Sequence, residues 1–386
     1  MKKRRRLVLA SLSLLCFFVG LAWAKARFLG FGPVPLAPSY NSVSPDTVWP
    51  WTSATTKILT RGVTRGVTQT SKTASDGTLL DLFEFDFGVN PRLRWEIFDQ
   101  DEDDAKPFDN RVLYWNRNVA RAVKQLDASG RATTLVAWNG AFFGYNAKNQ
   151  REAFHVSPVV LRGKAHFNTA QHRWTFGVKN TPSGPVWKTF FKPDRATMER
   201  EFDFAAGSVQ CLIRDGKPLK TEPFPPVGGK FKAQPVVSTA QEAGHIPYFD
   251  HMRTCRASMG WSRDGKKLYF LSVKEPDDEA ASSVALSFAV RGQISPLGTT
   301  LGGGWTVPDV QRFWQTKGVW GAINSDAGGV LQWVARQPSG GWEMIPSRLA
   351  NGALKLRVQP NWNGAVAGGG AIMYFLVRET APEKSN

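Results

Sequence analysis

The segment Gly321-Ala-Ile-Asn-Ser-Asp-Ala-Gly-Gly329 runs from an apolar pair, Ala322 and Ile323, straight into Asn324 and Asp326. A buried strand that ends in this way carries a carboxylate to a rim, and Gly328 and Gly329 leave room for a ligand to approach the backbone. A second strand end of this type reads Trp138-Asn-Gly-Ala-Phe-Phe-Gly144, with Asn139 as its polar residue. Asp326 is the first candidate for acid or base chemistry; its competing role is a turn residue that caps its own loop. Asn139 and Asn324 either hold a ligand hydroxyl or brace those turns. Glu152, in Gln150-Arg-Glu152, is a candidate partner carboxylate, or else a solvated loop residue. In His251-Met-Arg-Thr254, the planar guanidinium of Arg253 suits the oxygens of a phosphate, and His251 can donate a proton or a hydrogen bond. His155 is a further candidate of that kind; an isolated histidine is otherwise a structural residue.

Other patterns narrow the chemistry. There is no Gly-x-Ser-x-Gly elbow and no His-Glu-x-x-His, which disfavours a serine hydrolase and a zincin. Gly302-Gly-Gly304 precedes a helix start at Thr306 and is either an anion cradle or a hinge; it lacks the Lys and Ser/Thr of a P-loop. Asp99 to Asp104 holds five carboxylates in six positions without the spacing or glycine turn of a calcium loop, and reads as a solvated loop. No metal site and no cofactor is expected. Beyond the first 24 residues the only cysteines are Cys211 and Cys255. A disulfide between them is favoured in an oxidising compartment, two buried thiols being the alternative.

The elements that must position these residues follow from periodicity. Leu79 to Val89 alternates as a half-buried strand, and Leu93 to Phe98 continues it. Asn118 to Leu126 carries Val119, Val123 and Leu126 on one helical face, and a strand over Thr133 to Trp138 follows. The order recurs later: Thr306 is an N-cap, Val307, Val310, Phe313 and Trp314 form a stripe, Gly318 stops the helix, and Val319 to Ile323 is a strand. Many short strands lie between. The expected fold is α+β (mixed α/β), one large domain with a mixed multi-stranded sheet and a few packed helices. Residues 1-24 read as a signal peptide or N-terminal anchor, 25-75 as a Pro/Ser/Thr-rich linker, and 76-380 as the folded domain.

Four segments in order resemble the phosphodiester glycosidase family, relatives of the lysosomal uncovering enzyme. They are Asn139-Gly-Ala-Phe-Phe143, Arg214-Asp-Gly-Lys-Pro218, His251-Met-Arg-Thr254 with Arg263-Asp-Gly-Lys266, and Asn324-Ser-Asp-Ala-Gly-Gly329. A closing Pro360-Asn361 precedes the last strand, and the likeness spans about Thr133 to Val377. Ala327 stands where the family has glycine, and Val330-Leu331 where it has Ser-Ser. The resemblance implies hydrolysis of a sugar phosphodiester. Asp326, Glu152 and His251 would do the chemistry, and Asn139, Arg253, Asn324, Gly328 and Gly329 would hold substrate. The departures favour an alternative, a catalytically degenerate glycan-binding or envelope protein on the same fold.

Composition sets the setting. With 386 residues and 42% hydrophobic content, the chain can bury a sizeable core. Lys2-Lys-Arg-Arg-Arg6, the apolar run Leu7 to Leu21 and Ala22-Trp-Ala24 form an export leader. Cleavage there removes five basic residues and no acidic ones from a net charge of +17, leaving +12. The expected location is periplasmic or extracellular, with membrane contact only through an uncleaved leader. The expected partner is a carbohydrate or sugar-phosphate polymer, including exopolysaccharide, and not nucleic acid.

Overall fold

The structure, a computed structural model, describes residues 44–59, 66–102, 108–113, 118–146, 152–166, 174–219, 253–274, 303–326, 330–345 and 371–381. His251, Ala327, Gly328, Gly329 and the leader lie outside these residues.

Every strand pairing among the described residues is antiparallel. The large sheet contains β1 (Thr55–Ile58), β2 (Val67–Thr73), β3 (Leu79–Asp86), β16 (Lys267–Lys274), β15 (Arg256–Trp261), β17 (Gly321–Asn324), β13 (Phe204–Arg214), β11 (Trp174–Thr181) and β12 (Gly184–Phe191), in that spatial order. The short β9 (Val159–Leu161), β10 (Lys164–His166) and β14 (Lys217–Pro218) attach at its side. A second sheet runs β19 (Trp342–Ile345), β18 (Trp333–Arg336), β6 (Ala132–Asn139), β20 (Met373–Thr380) and β4 (Leu93–Asp99). A third, small sheet is β5 (Val112–Leu113), β8 (Glu152–His155) and β7 (Phe143–Tyr145).

Alternation decides how the two larger sheets pack. Phe83 and Phe85 of β3, Phe176 of β11 and Phe270 of β16 share one core with Trp95 of β4, Trp138 of β6, Trp333 of β18 and Phe375 of β20. Trp138 stacks on Phe270 with centroids 4.4 Å apart, which fastens one sheet to the other. Helices cover the opposite faces. Helix α1 (Val119–Asp127) packs Val119 and Val123 on Ala137, Val334 and Leu376 of the second sheet. Helix α3 (Val307–Lys317) packs Val310, Phe313 and Trp314 on Leu212, Leu271 and Ala322 of the large sheet. The short α2 (Arg195–Glu201) lies with β10.

The expected α+β class is therefore corrected to a β-rich fold of antiparallel sheets with three helices among the described residues. The two helix-then-strand passages misled because each was read as part of one mixed sheet. Strand β6 after α1 enters the second sheet, and β17 after α3 enters the large one. The linker expectation also fails in part, since β1 and β2 within residues 25–75 belong to the large sheet.

The anticipated disulfide is absent. Cys211 sits on β13 and Cys255 just before β15, with β17 between those strands. Two strand spacings separate Cα atoms by roughly 10 Å, beyond the ~7 Å limit of a bridge. Burial pushes the Cys211 thiol up to about 12, so it is an inert core group.

Candidate active site

The Asn-Gly end of β6 and the Asn-Ser-Asp end of β17 come from different sheets and meet. The backbone N–H of Asp326 donates to the Gly140 carbonyl at 3.0 Å, and that of Phe142 donates to the Ser208 carbonyl of β13 at 3.0 Å. Gly140 itself donates to the Met373 carbonyl at 3.1 Å. A side chain is hard to place at Gly140, where a Cβ would lie 2.3 Å from Met373 Cγ. Thus the first sequence segment forms a short strap over the middle of β13 and the end of β17, and the glycine permits the close crossing.

Asn139 is fully buried and braces the chain that follows the fourth segment. Its Nδ2 donates to the Val330 carbonyl at 3.0 Å, and its Oδ1 accepts from the Gln332 backbone N–H at 2.7 Å. Asn324 links β17 to β13 through Nδ2 donating to Gln210 Oε1 at 2.6 Å. Its Oδ1 is buried and has no hydrogen-bond partner among the described residues. Val330 is 7% exposed and Leu331 fully buried, so the two departures from the family pattern face protein interior.

Arg253 lies at the same end of the large sheet as Asp326. Ser258 is level with Asn324, and the Ser325 N–H donates to the Ala257 carbonyl at 2.9 Å, which sets Asp326 beside the start of β15. Arg253 precedes that start by three residues and is 9% exposed. Thr254 next to it pairs with Trp305 through 3.1 and 3.3 Å backbone bonds, fixing the approach to α3. The Gly303–Gly304 passage is no anion cradle. The Gly304 N–H donates to Thr78 Oγ1 at 2.8 Å, and a Cβ there would sit 2.6 Å from the Thr254 carbonyl oxygen. Thr306 and Asp309 form a capping box, and Ser44 Oγ adds a 2.7 Å bond to Asp309, so the N-terminus of α3 is already served.

Glu152 is placed apart. In the β7–β8 hairpin Phe143 is level with His155, and Glu152 is at the far end opposite Asn146, whose Nδ2 donates to it at 2.7 Å. Glu152 lines a polar cavity of about 540 Å³ with Asp109, Asn110, Arg111 and Asn146. His155, not Glu152, occupies the end of the hairpin nearest Gly140.

That position gives His155, a candidate from the sequence, a partner the sequence did not suggest. His155 Nε2 is 3.0 Å from Asp99 Oδ2, and both side chains are buried. Asp99 is level with Met373, the residue that accepts from Gly140, so Asp99 and Gly140 flank one strand and lie roughly 10 Å apart. Asp99 also accepts from the Asp101 N–H at 3.0 Å, and Asp101 Oδ2 accepts from Asn110 at 2.9 Å. Burial and then the charge of Asp99 push the Asp101 carboxyl up to about 6. Asp99 and Asp101 are therefore not a solvated loop: both are fully buried. Tyr374, opposite Asn139, is a second missed group. Burial holds its phenol well above the usual range, and the Asp326 charge pushes the same way, so a neutral hydroxyl sits near that carboxylate. Ser208 beside the strap holds φ at 61°, an uncommon conformation for a serine inside a strand. Clustered buried ionisable groups and backbone strain of this kind concentrate at functional sites.

Among the described residues no group of three or more His, Cys, Asp or Glu is arranged to hold a metal ion. No described helix is long and apolar enough to cross a membrane.

No protein-family model matches this chain, and no curated protein matches it in sequence. Solved structures are similar to it. The catalytic domain of zebrafish N-acetylglucosamine-1-phosphodiester alpha-N-acetylglucosaminidase, auto-inhibited by its pro-peptide, is 14% identical over 93% of this chain and 99% of its own, with a TM-score of 0.47. A hypothetical protein from Synechocystis is 11% identical over 81% of this chain and 62% of its own, with a TM-score of 0.41. A Burkholderia pseudomallei protein described as exported is 11% identical over 79% and 74%, with a TM-score of 0.42. These are distant likenesses, and no residue role passes from them to this chain.

Proposed function

We propose that this protein is an exported hydrolase that cleaves a sugar-phosphodiester or related glycosidic linkage in an envelope or extracellular glycan. The observation that carries the reading is the 3.0 Å bond from Asp326 N–H to the Gly140 carbonyl, which unites two polar strand ends from separate sheets at one rim. A rigid frame of this kind gives a carboxylate the fixed position that acid–base work on a glycosidic bond requires. Asp326 acts at the glycosidic bond, and Arg253 binds the phosphate. Asn139 and Asn324 hold the two strand ends in register, and Asn324 keeps one amide oxygen for a ligand hydroxyl. His251, Gly328 and Gly329 complete the proposal on the strength of the sequence resemblance alone.

The test is a panel of sugar-1-phosphodiesters and phosphate-free glycosides offered to the purified chain and to Asp326→Asn. The parent should turn over phosphodiesters, and the variant should lose about a hundredfold or more in kcat at an unchanged melting temperature. Near-normal turnover by the variant would make Asp326 a turn residue. A second reading, glycan binding without catalysis, is favoured by the Asn139 amide being spent on Val330 and Gln332. It takes over if the parent binds these sugars and cleaves none.

A further inference from the structure

The opposite end of β17 carries a different kind of concavity. Trp320 immediately precedes β17, six residues from Asp326, a separation of roughly 20 Å along an extended chain. There a cleft of about 250 Å³ opens between edge strand β12 and the ends of β13, β15 and β17. Trp187, Phe190, Trp261, Trp320, Lys188 and Arg214 line it. Its existence follows from topology. β13 pairs with β11 through residues up to Val209 and with β17 from Gln210 onward, so the sheet divides beside this point. Trp187 Nε1 donates to the Gly265 carbonyl at 2.8 Å and holds β12 to the β15–β16 turn across the gap.

We infer that this cleft binds one anionic sugar ring of a glycan, at a site separate from the Asp326 rim. The volume lies below the ~300–1,000 Å³ of drug-sized sites and suits a single ring. Aromatic walls match the apolar face of a pyranose. The charge is read by Arg214. Its guanidinium lies over the Trp174 ring, 5.3 Å from the centroid, which restrains the side chain. Among the described residues its carboxylate partner is the adjacent Asp215 at 3.6 Å, with both side chains more than half exposed. That is longer than the ~2.7–2.9 Å of a charge-assisted bond, and exposed pairs of this sort are worth little, so a ligand anion can replace it. Lys188, in contrast, is tied to Glu201 at 2.7 Å. Arg263, over the Trp320 ring at 4.8 Å, adds a second guanidinium at the rim. The identity of the ligand as a glycan rests on the proposed function; the anion preference rests on the cleft. Two sites about 20 Å apart on one polymer would raise local substrate concentration at the rim.

The experiment is calorimetric titration with a glucuronate–glucose tetrasaccharide, its carboxyl-reduced neutral counterpart, glucose 1-phosphate and adenosine monophosphate. The parent should bind the glucuronate probe or glucose 1-phosphate at least tenfold more tightly than the neutral one, the stronger of the two telling which anion is read. Arg214→Gln, an exposed change that leaves the fold intact, should abolish that preference, and Trp320→Leu should weaken all sugar binding. Equal affinity for charged and neutral probes, or no binding of either, overturns the inference. So does tighter binding of adenosine monophosphate than of any sugar. Charge-selective binding lost in Asp326→Asn but kept in Arg214→Gln would place the ligand at the rim, overturning the cleft while leaving the hydrolase reading intact.

Discussion

At its first residue, Gly321, β17 meets an indole: a Cβ there would lie 2.1 Å from Trp261 Cζ2, and the Trp320 N–H donates to the Trp261 carbonyl at 2.8 Å. At its last residue, Asn324, the same strand meets amides, a buried histidine–aspartate pair one sheet away, and a phenol held neutral. The first end keeps its charges outside, as in Arg214 and Asp215, and presents rings. The second end takes charged groups inside and satisfies them only in part with hydrogen bonds, Asp101 Oδ1 having none among the described residues. An end of the first type can hold a ring but has little with which to move protons. An end of the second type pays in desolvation for groups whose protonation can be tuned. The difference predicts that mutations at the polar end will change chemistry and pH response, and those at the aromatic end packing and binding.

The largest expected effect tests whether the polar end extends into the chain after Asp326. Leu331 is fully buried in the main core. Leu331→Ser, which restores the hydroxyl of the family pattern, leaves a cavity and a buried hydroxyl and should cost about 3–5 kcal/mol. Denaturant melts decide it. A neutral change accompanied by a gain in turnover would show that residue 331 faces substrate and not core.

What the sequence disclosed is what local chemistry controls. Helix α3 was legible at both ends, because Thr306 caps it through Asp309 and Gly318 takes φ 75° at its stop. Strand β3 was legible from alternation, and β6 and β17 from the apolar runs that follow a helix stop. The meeting of Gly140 with Asp326 was suggested by two similar strand ends. The burial of Asp99 and Asp101 was not legible, since an acidic run looks solvated until β20 and the β7–β8 hairpin close over it. Cys211 and Cys255 looked like a pair because spacing does not reveal that β17 lies between them. The sheet class was misread for the same reason: a helix before a strand does not say which sheet the strand will join. Glu152 follows the first segment closely in sequence, but a hairpin carries it away again.

Second in size is a pair of glycine substitutions that compares the two ends directly. Gly321→Ala drives a methyl into the rigid Trp261 ring and should destabilise by about 1–3 kcal/mol or more. Gly140→Ala meets the Met373 side chain, at Cγ 2.3 Å and Sδ 3.0 Å, and the Met373 carbonyl oxygen at 3.0 Å; the flexible thioether can change rotamer, which a ring fixed in the core does not. Gly140→Ala should therefore cost less stability but more activity, because the strap it forms holds Asp326. Thermal melts and turnover measured on both variants check this. The contrast fails if Gly321→Ala loses more turnover than Gly140→Ala when both are assayed well below their melting temperatures.

The smallest effect is the most specific to the polar end. The Asp101 carboxyl is raised from its ordinary 3.8 to about 6, chiefly by burial. The folded state therefore binds this proton more tightly than the unfolded state. Its contribution to stability is fully present below about pH 4 and is lost as pH rises through about 6. Asp101→Asn keeps the shape and cannot ionise, so the variant should melt above the parent at pH 8. The gap should narrow through pH 6 and close by pH 4. At the aromatic end, Asp215→Asn removes an exposed, weakly paired carboxylate and should shift stability by no more than about 0.5 kcal/mol at pH 7. A constant gap for Asp101→Asn at all three pH values would mean that its charge is not buried in the folded chain. The two ends of β17 would then differ in shape but not in how they hold charge.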